Sequence, residues 1–74
     1  MPAYVLMLSH GDYDEHVEYP VAIVKDEDSA QLLIEALEAR EPKYVARVPE
    51  IKRWVDLDAG EFSIDMCMVP IVEV

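Results

Sequence analysis

Cysteine is almost absent from this 74-residue chain, in which Cys67 is the only one. A single cysteine cannot form a disulfide within the chain, so the fold depends on its hydrophobic core and on any partner subunit. The start of the chain also lacks the basic region and the long apolar stretch of a signal peptide. These absences fit a reducing compartment, and we expect a cytoplasmic protein.

Long hydrophobic runs are missing as well. The longest ones, residues 4–8 and 21–24, fall far short of the roughly 20 residues that span a bilayer. The chain is nevertheless 53% hydrophobic, which is more than disordered chains contain. A chain of this size manages one core, so the sequence predicts a single folded domain over residues 1–74.

Basic residues are scarce, with six Lys and Arg against 16 Asp and Glu, for a net charge of −10. Residues 40–53 hold five of the bases and two of the acids, so the rest of the chain has 14 acids and one base. Such a charge repels nucleic acids and anionic lipids and attracts basic surfaces. We expect a basic protein or protein complex as the partner, with no direct contact to nucleic acid or membrane.

Two strands are predicted near the start of the chain. Residues 3–9 are apolar on both faces, which is typical of a central strand. Residues 17–24 place alternate apolar side chains on one face. Pro20 cannot donate a ladder hydrogen bond, so this second strand is predicted to lie at a sheet edge or to carry a bulge. The two strands form a predicted hairpin.

An amphipathic helix follows the hairpin. Its apolar stripe consists of Ala30, Leu33, Ile34 and Leu37. Either Asp26 caps its start, or Asp28 does so with Gln31 as a capping-box partner. Pro42 is predicted to end the helix, because the residue before a proline is pushed out of the helical region.

Residues 43–60 are open to two interpretations. Residues 44–48 form a strand and Pro49 begins a helical turn, or a strand runs over residues 51–57. The turn-forming residues 58–60 precede an alternating run over 61–69, and this favours a second hairpin, whose last strand ends or bulges at Pro70. The side chains of that last strand predicted to face the helix are Phe62, Ile64, Met66 and Met68. The favoured fold is α+β: an antiparallel sheet of three to four strands with one amphipathic helix on one face, in the order ββαββ.

One helix covers only one face of such a sheet. Val5 and Met7, with Tyr19 and Trp54, are therefore expected to be partly open on the other face, where a second subunit or a partner would cover them. Tyr44 and Trp54 are the predicted anchors of a self-interface, because aromatic side chains dominate such contacts. The alternative function is a structural or regulatory homodimer built on this face and on residues 44–54. The apolar tail, residues 71–74, is expected to pack against the core or a partner.

Two groups of residues resemble reactive sites but are interpreted as structural. The potential metal ligands are His10, Asp12, Asp14, Glu15 and His16. Their spacing matches no established metal site, so we predict a solvated loop with Gly11 in a left-handed turn. Cys67 lacks an orienting group and an oxyanion site, and is predicted to be a small buried residue. No metal, cofactor or catalytic residue is predicted, and we expect no enzymatic activity.

The acids of the first hairpin and of the helix start are the predicted partner-binding residues. They are Asp12, Asp14, Glu15, Glu18, Asp26, Glu27 and Asp28. Together they would form an acidic ridge that mimics the phosphates of a nucleic acid strand. A net charge of about 2 to 8 is enough to keep a small domain soluble, so this excess of acids favours a binding role.

The order of hairpin, acidic helix start, alanine-containing helix and closing strand resembles a group of short, uncharacterised acidic proteins of bacteriophages and prophages. Residues 4–6, 11–14, 21–24 and 28–30 carry the likeness, and the segment 43–60 departs from the shorter pattern. Such proteins include host-takeover factors and inhibitors of restriction or CRISPR systems, some of which mimic nucleic acid. The resemblance implies an inhibitor that acts in a host bacterial cell on a basic, nucleic-acid-binding surface of a host or defence complex.

Overall fold

The fold was obtained as a computed structural model, which describes residues 2–11, 17–58 and 60–73. Its elements are β1 (Pro2–His10), β2 (Val17–Val24), α1 (Glu27–Glu38), α2 (Pro42–Val45), α3 (Pro49–Asp56) and β3 (Ser63–Pro70). The strands form one antiparallel sheet in the order β2-β1-β3, and the helices pack on one of its faces. The predicted α+β class is confirmed.

The predictions for the first two strands are also confirmed. β1 lies at the centre of the sheet, with Leu6 and Leu8 fully buried beneath the helices. β2 lies at an edge, and its register shifts between Leu6 and Met7 of β1, which leaves Val21 without a paired residue. Pro20 therefore sits in an edge strand beside a bulge, where its missing N–H costs no ladder bond.

The predicted helix corresponds to α1. Ala30 and Leu37 are fully buried, and Leu33 and Ile34 are half-buried against the same core. The helix ends at Glu38, two residues before the left-handed Arg40 (φ 56°) and well before Pro42. Pro42 instead begins α2, after an extended residue as the proline rule requires.

The predicted ββαββ order, with a strand over residues 51–57, is wrong. Residues 49–56 form α3, with Pro49 at the first helical position, where a missing N–H is tolerated. Ile51 is fully buried in the core and Val55, four residues on, packs against it, which is helical spacing. The turn at Asp58 (φ 48°) and Gly60 (φ 103°) consequently joins a helix to a strand. The residue between them lies outside the described part of the chain.

A single cluster of side chains forms the core between the sheet and the helices. Its buried members are Leu6, Leu8, Ala30, Leu37, Val45, Val48, Ile51 and Ile64. Phe62 and Met66 pack against it as predicted, whereas Met68, further along the same face, is 63% exposed. Ile71 and Val72 are largely exposed, so these residues do not pack against the core. The alternative, that the tail packs against a partner, stays a prediction. Within the described ranges, no helix has the length and apolar character to cross a membrane.

Candidate protein-interaction site

The exposed side of α1 carries a row of carboxylates, which we call the acidic face of α1. It consists of Glu27, Asp28, Glu35 and Glu38. Helical periodicity places these four residues away from the buried stripe of the same helix. The helix carries no basic residue, although a helix C-terminus favours cations. The acids near that end therefore do not stabilise the helix dipole. The Glu38 carboxylate instead accepts a hydrogen bond from the Ile64 N–H at 3.4 Å, and Glu35 leaves a negative field at the helix surface.

Asp26 is the N-cap of α1, and its carboxylate is used within the helix. The backbone N–H of Ser29 donates to Oδ1 at 2.8 Å, and the Ser29 hydroxyl donates to Oδ2 at 3.0 Å. These bonds, the backbone one first, lower the pKa of Asp26 below its usual value of 3.8. Asp26 rather than Asp28 is thus the cap, and this member of the predicted binding site has a structural role.

We expect Asp26→Ala to lower the stability of the protein at neutral pH, because the first turn of α1 loses its cap. A lowered pKa in the folded state stabilises the protein above the unfolded-state pKa, and this contribution is lost as the pH falls through the folded-state pKa. The difference between wild type and Asp26→Ala in urea unfolding should therefore shrink as the pH is lowered from neutral to below 3.8. Asp26→Asn keeps the oxygen acceptor and serves as the control. A pH-independent difference would contradict the assignment.

The remaining predicted acids do not all share one surface. Those that lie outside the described residues are Asp12, Asp14 and Glu15. Glu18 is exposed on β2, and its neighbour Tyr19 packs against the core from the helix side. Alternation along the strand then directs Glu18 to the opposite face of the sheet. Only Glu27 and Asp28 of the predicted set belong to the acidic face of α1.

A shallow depression of roughly 400 Å³ adjoins the acidic face of α1. Its lining consists of Leu32, Glu35, Ala36, Ala39, Glu41 and Tyr44. The lining is mostly apolar, and Glu35 and Glu41 add two carboxylates. Long basic side chains have matching chemistry, because their aliphatic stems pack on apolar surface while their charged ends reach carboxylates. Sequence reasoning missed this depression, although the apolar Leu32 on the polar side of α1 was a signal for it.

Two bases of the segment 40–53 bind other atoms of the same chain. The Arg40 guanidinium donates to the carbonyl oxygen of Gly60 at 2.8 Å. Lys52 Nζ lies 2.6 Å from Asp56 Oδ2, an exposed ion pair within α3. In the part of the chain that the structure describes, no basic side chain forms an ion pair with the acidic face of α1. The described bases therefore do not neutralise that face.

Trp54 is half-buried and contacts other residues of its own chain through a hydrogen bond and two ring contacts. Its Nε1–H donates to the Gly60 carbonyl oxygen at 2.9 Å. Its ring centroid lies 4.3 Å from that of His10 and 6.3 Å from that of Phe62. Trp54 thus connects α3 to the end of β1 and to the residues before β3. Alternation from the buried Leu8 already places His10 on the helix side, but nothing in the sequence pairs it with Trp54.

Tyr44 and Trp54 both lie on the helix side of the sheet. Tyr44 packs against the core, and the charged ends of Lys43 and Arg47 stand 5.8 and 5.9 Å from its ring centroid. The predicted self-interface combined these residues with the uncovered face of the sheet. The sheet separates the two, so they do not form one surface.

We call the side of the sheet away from the helices the open face, because no described element packs on it. Its apolar part consists of Ala3, Val5, Met7, Ile23, Cys67 and Val69. Val5 and Met7 are half-buried, which confirms that they are partly open. Tyr19, predicted to share this face, packs instead on the helix side. Ile23 is 73% exposed, so the edge of the apolar patch is in water.

The described residues hold no group of three or more His, Cys, Asp or Glu side chains that could bind a metal ion. The other potential ligands, Asp12, Asp14, Glu15 and His16, lie outside them. Gly11 has a φ of 106°, as predicted. Cys67 is exposed, contrary to prediction, because it lies on the open face and belongs to β3, an edge strand of the sheet. His10 faces the helices, so the sheet separates its imidazole from this thiol.

The candidate site therefore consists of the acidic face of α1 and the depression beside it. When the chain is compared with known proteins, no protein-family model, no curated protein and no solved structure matches it.

Proposed function

We propose that this protein is a non-enzymatic interaction protein that binds a basic surface of another protein or protein complex through the acidic face of α1 and the adjoining depression. The depression is the observation that carries the proposal. It joins an apolar lining to the carboxylates of Glu35 and Glu41, and this combination suits a Lys or Arg side chain of the partner.

The charge of the chain supports the same partner. A net charge of −10 attracts cationic surfaces from a distance and raises the rate of encounter. Once the surfaces meet, each exposed pair of opposite charges contributes roughly 0.2 to 1 kcal/mol, because side-chain ordering and loss of water offset most of the Coulomb attraction. The acidic face of α1 has no ion pair within the described chain that would first have to break.

The resemblance to short acidic phage proteins suggests the setting for this binding. The basic partner would be a nucleic-acid-binding surface of a host or defence complex in the bacterial cytoplasm. By occupying that surface, the protein would act as an inhibitor or nucleic-acid mimic, because carboxylates replace the phosphates that the surface normally binds.

A salt-dependent capture experiment tests the proposal. We expect the tagged protein to capture a basic partner from a bacterial lysate at about 0.05 M salt and to release most of it at about 0.5 M, because salt screens exposed charges. Mass spectrometry identifies the captured protein, and the isoelectric point calculated from its sequence should be high. Capture that resists salt, or an acidic partner, would contradict electrostatic binding at α1.

The loop acids need a separate experiment, because they lie outside the described residues. The triple variant Asp12→Lys, Asp14→Lys, Glu15→Lys should weaken capture and leave the melting temperature nearly unchanged if the loop contributes to binding. Unaltered affinity for the captured partner would restrict the site to the acidic face of α1.

A structural or regulatory homodimer is the second candidate, and the edge of β3 favours it. β3 is an outer strand of the sheet, and no described strand lies on the side of it that faces away from β1. The self-interface proposed for it does not use Tyr44 or Trp54.

A further inference from the structure

The backbone of β3 alternates between groups that face β1 and groups that face outward. The N–H of Ile64 donates to Glu38 Oε2 at 3.4 Å, so it points away from β1. In an antiparallel ladder every second residue has the same orientation. The N–H and C=O groups of Met66 and Met68 therefore point outward too, and Pro70 follows the same pattern without an N–H.

Both ends of this outer edge are blocked, and its middle is open. The Glu38 carboxylate occupies the donor of Ile64 at one end, and Pro70 has no donor at the other. The free donors between them are the N–H groups of Met66 and Met68, because no described backbone group bonds them. Unpaired strand edges of this kind are sites at which another strand can add.

The other edge of the sheet is protected. Pro20 of β2 lies opposite Met7, whose backbone groups bond β3, so the proline nitrogen faces outward. The bulge at Val21 distorts the same edge. Each copy of the described chain thus offers one open edge, and pairing of like edges stops at a dimer.

We propose that β3 binds β3 of a second copy of this chain, antiparallel, with Cys67 at the two-fold axis. In this register Met66 of each copy exchanges two backbone hydrogen bonds with Met68 of the other. The free N–H groups of Met66 and Met68 in both copies then have acceptors. The Ile64 N–H keeps its hydrogen bond to Glu38, and this register requires no N–H from Pro70. A shift that centres the pair on Met66 would displace Glu38 from Ile64.

Side chains and charge are compatible with this register. Asp65, the only charged residue of β3, lies opposite Val69 of the second copy, so like charges of the two strands do not face each other. The Glu38 carboxylates lie at the two ends of the pair. The excess charge of the two copies does not prevent association. Bodies with a radius of gyration of 12.8 Å have centres on the order of 25 Å apart, which is about three Debye lengths at physiological salt.

Two measurements on the wild-type protein test the dimer. Sedimentation velocity should show twice the 8.4 kDa of one chain, and association should strengthen as salt rises, which is opposite to the expectation for binding at α1. Opposite Cα atoms in such a pair are about 4.5 Å apart, within disulfide reach. Mild oxidation with diamide should therefore link Cys67 to Cys67 of the second copy, in a yield that follows the dimer fraction.

Variants locate the interface. Met66→Pro removes an outward N–H without breaking a bond to β1, so it should raise the dimer dissociation constant at least about tenfold and suppress the disulfide. Ile71→Pro, just beyond β3, is the matched control and should leave both unchanged. Circular dichroism checks that the variants fold. If Met66→Pro does not fold, the Cys67 cross-link of the wild-type protein still tests the register.

Three outcomes would overturn the proposal. They are a monomer at every concentration and salt, a dimer in which oxidation does not link Cys67, and a dimer that Ile23→Glu on the open face abolishes while Met66→Pro does not. None of them bears on the salt-sensitive binding proposed for α1, whose failure would appear in the capture experiment alone.

Discussion

Reversing two charges on α1 is expected to weaken capture of the basic partner at least about tenfold, because each replaced carboxylate turns an attraction of roughly 0.2 to 1 kcal/mol into a repulsion of similar size. The variant is Asp28→Lys with Glu35→Lys. These residues are two helical turns apart on the acidic face of α1, and Glu35 also lines the depression. Surface plasmon resonance against the captured partner measures the change in affinity.

The matched control is Glu50→Lys with Glu73→Lys. Both double variants change the net charge from −10 to −6, and all four residues are exposed. We expect the control to slow association slightly and to keep most of the affinity, because it alters the overall field and not the contact. Equal losses in the two variants would show that only net charge matters and would remove α1 as the binding surface.

Leu8→Ala should destabilise the protein by about 2 to 5 kcal/mol, the usual result of removing a leucine side chain from a packed core. Leu8 is fully buried in the central strand, between Tyr19 of β2 and Ile64 of β3, beneath the helices. A chain of this length has a total stability of roughly 4 to 11 kcal/mol, so the variant loses a large part of it. Urea unfolding followed by the fluorescence of the single Trp54 measures the loss.

Leu32→Ala provides the comparison for this core variant. Leu32 is on α1 and is 54% exposed, so its truncation removes little buried surface and should change the stability by less than about 1 kcal/mol. It also borders the depression, so it should reduce partner binding more than folding. A loss for Leu8→Ala no larger than that for Leu32→Ala would mean that the core is not centred on β1.

Local sequence was sufficient to predict those elements in which periodicity, capping and proline positions all indicate the same structure. The doubly apolar pattern of residues 3–9 predicted the central strand, and the cap and stripe of α1 predicted its position. Pro20 predicted an edge strand, because proline removes one backbone donor wherever it occurs. These properties depend on backbone chemistry and side-chain period, and both are present before the chain folds.

The segment 43–60 was decided by tertiary packing. Its residues fit a strand and a helix almost equally well, and the helix prevails because it buries Ile51 and Val48 against Leu37 and the sheet. The depression beside α1 also depends on tertiary packing. It forms because Glu41 and Tyr44, which follow the end of α1 in the sequence, lie beside that helix in the fold.

The sequence by itself determined the charge of this protein, its α+β class and the elements from β1 to α1, because composition and local periodicity specify them. Only the tertiary structure decided that the described acids divide between two sides of the sheet, that Trp54 is bound to its own chain, and that no described strand pairs with the outer edge of β3. Those properties depend on which distant residues meet, and neither composition nor periodicity records such contacts.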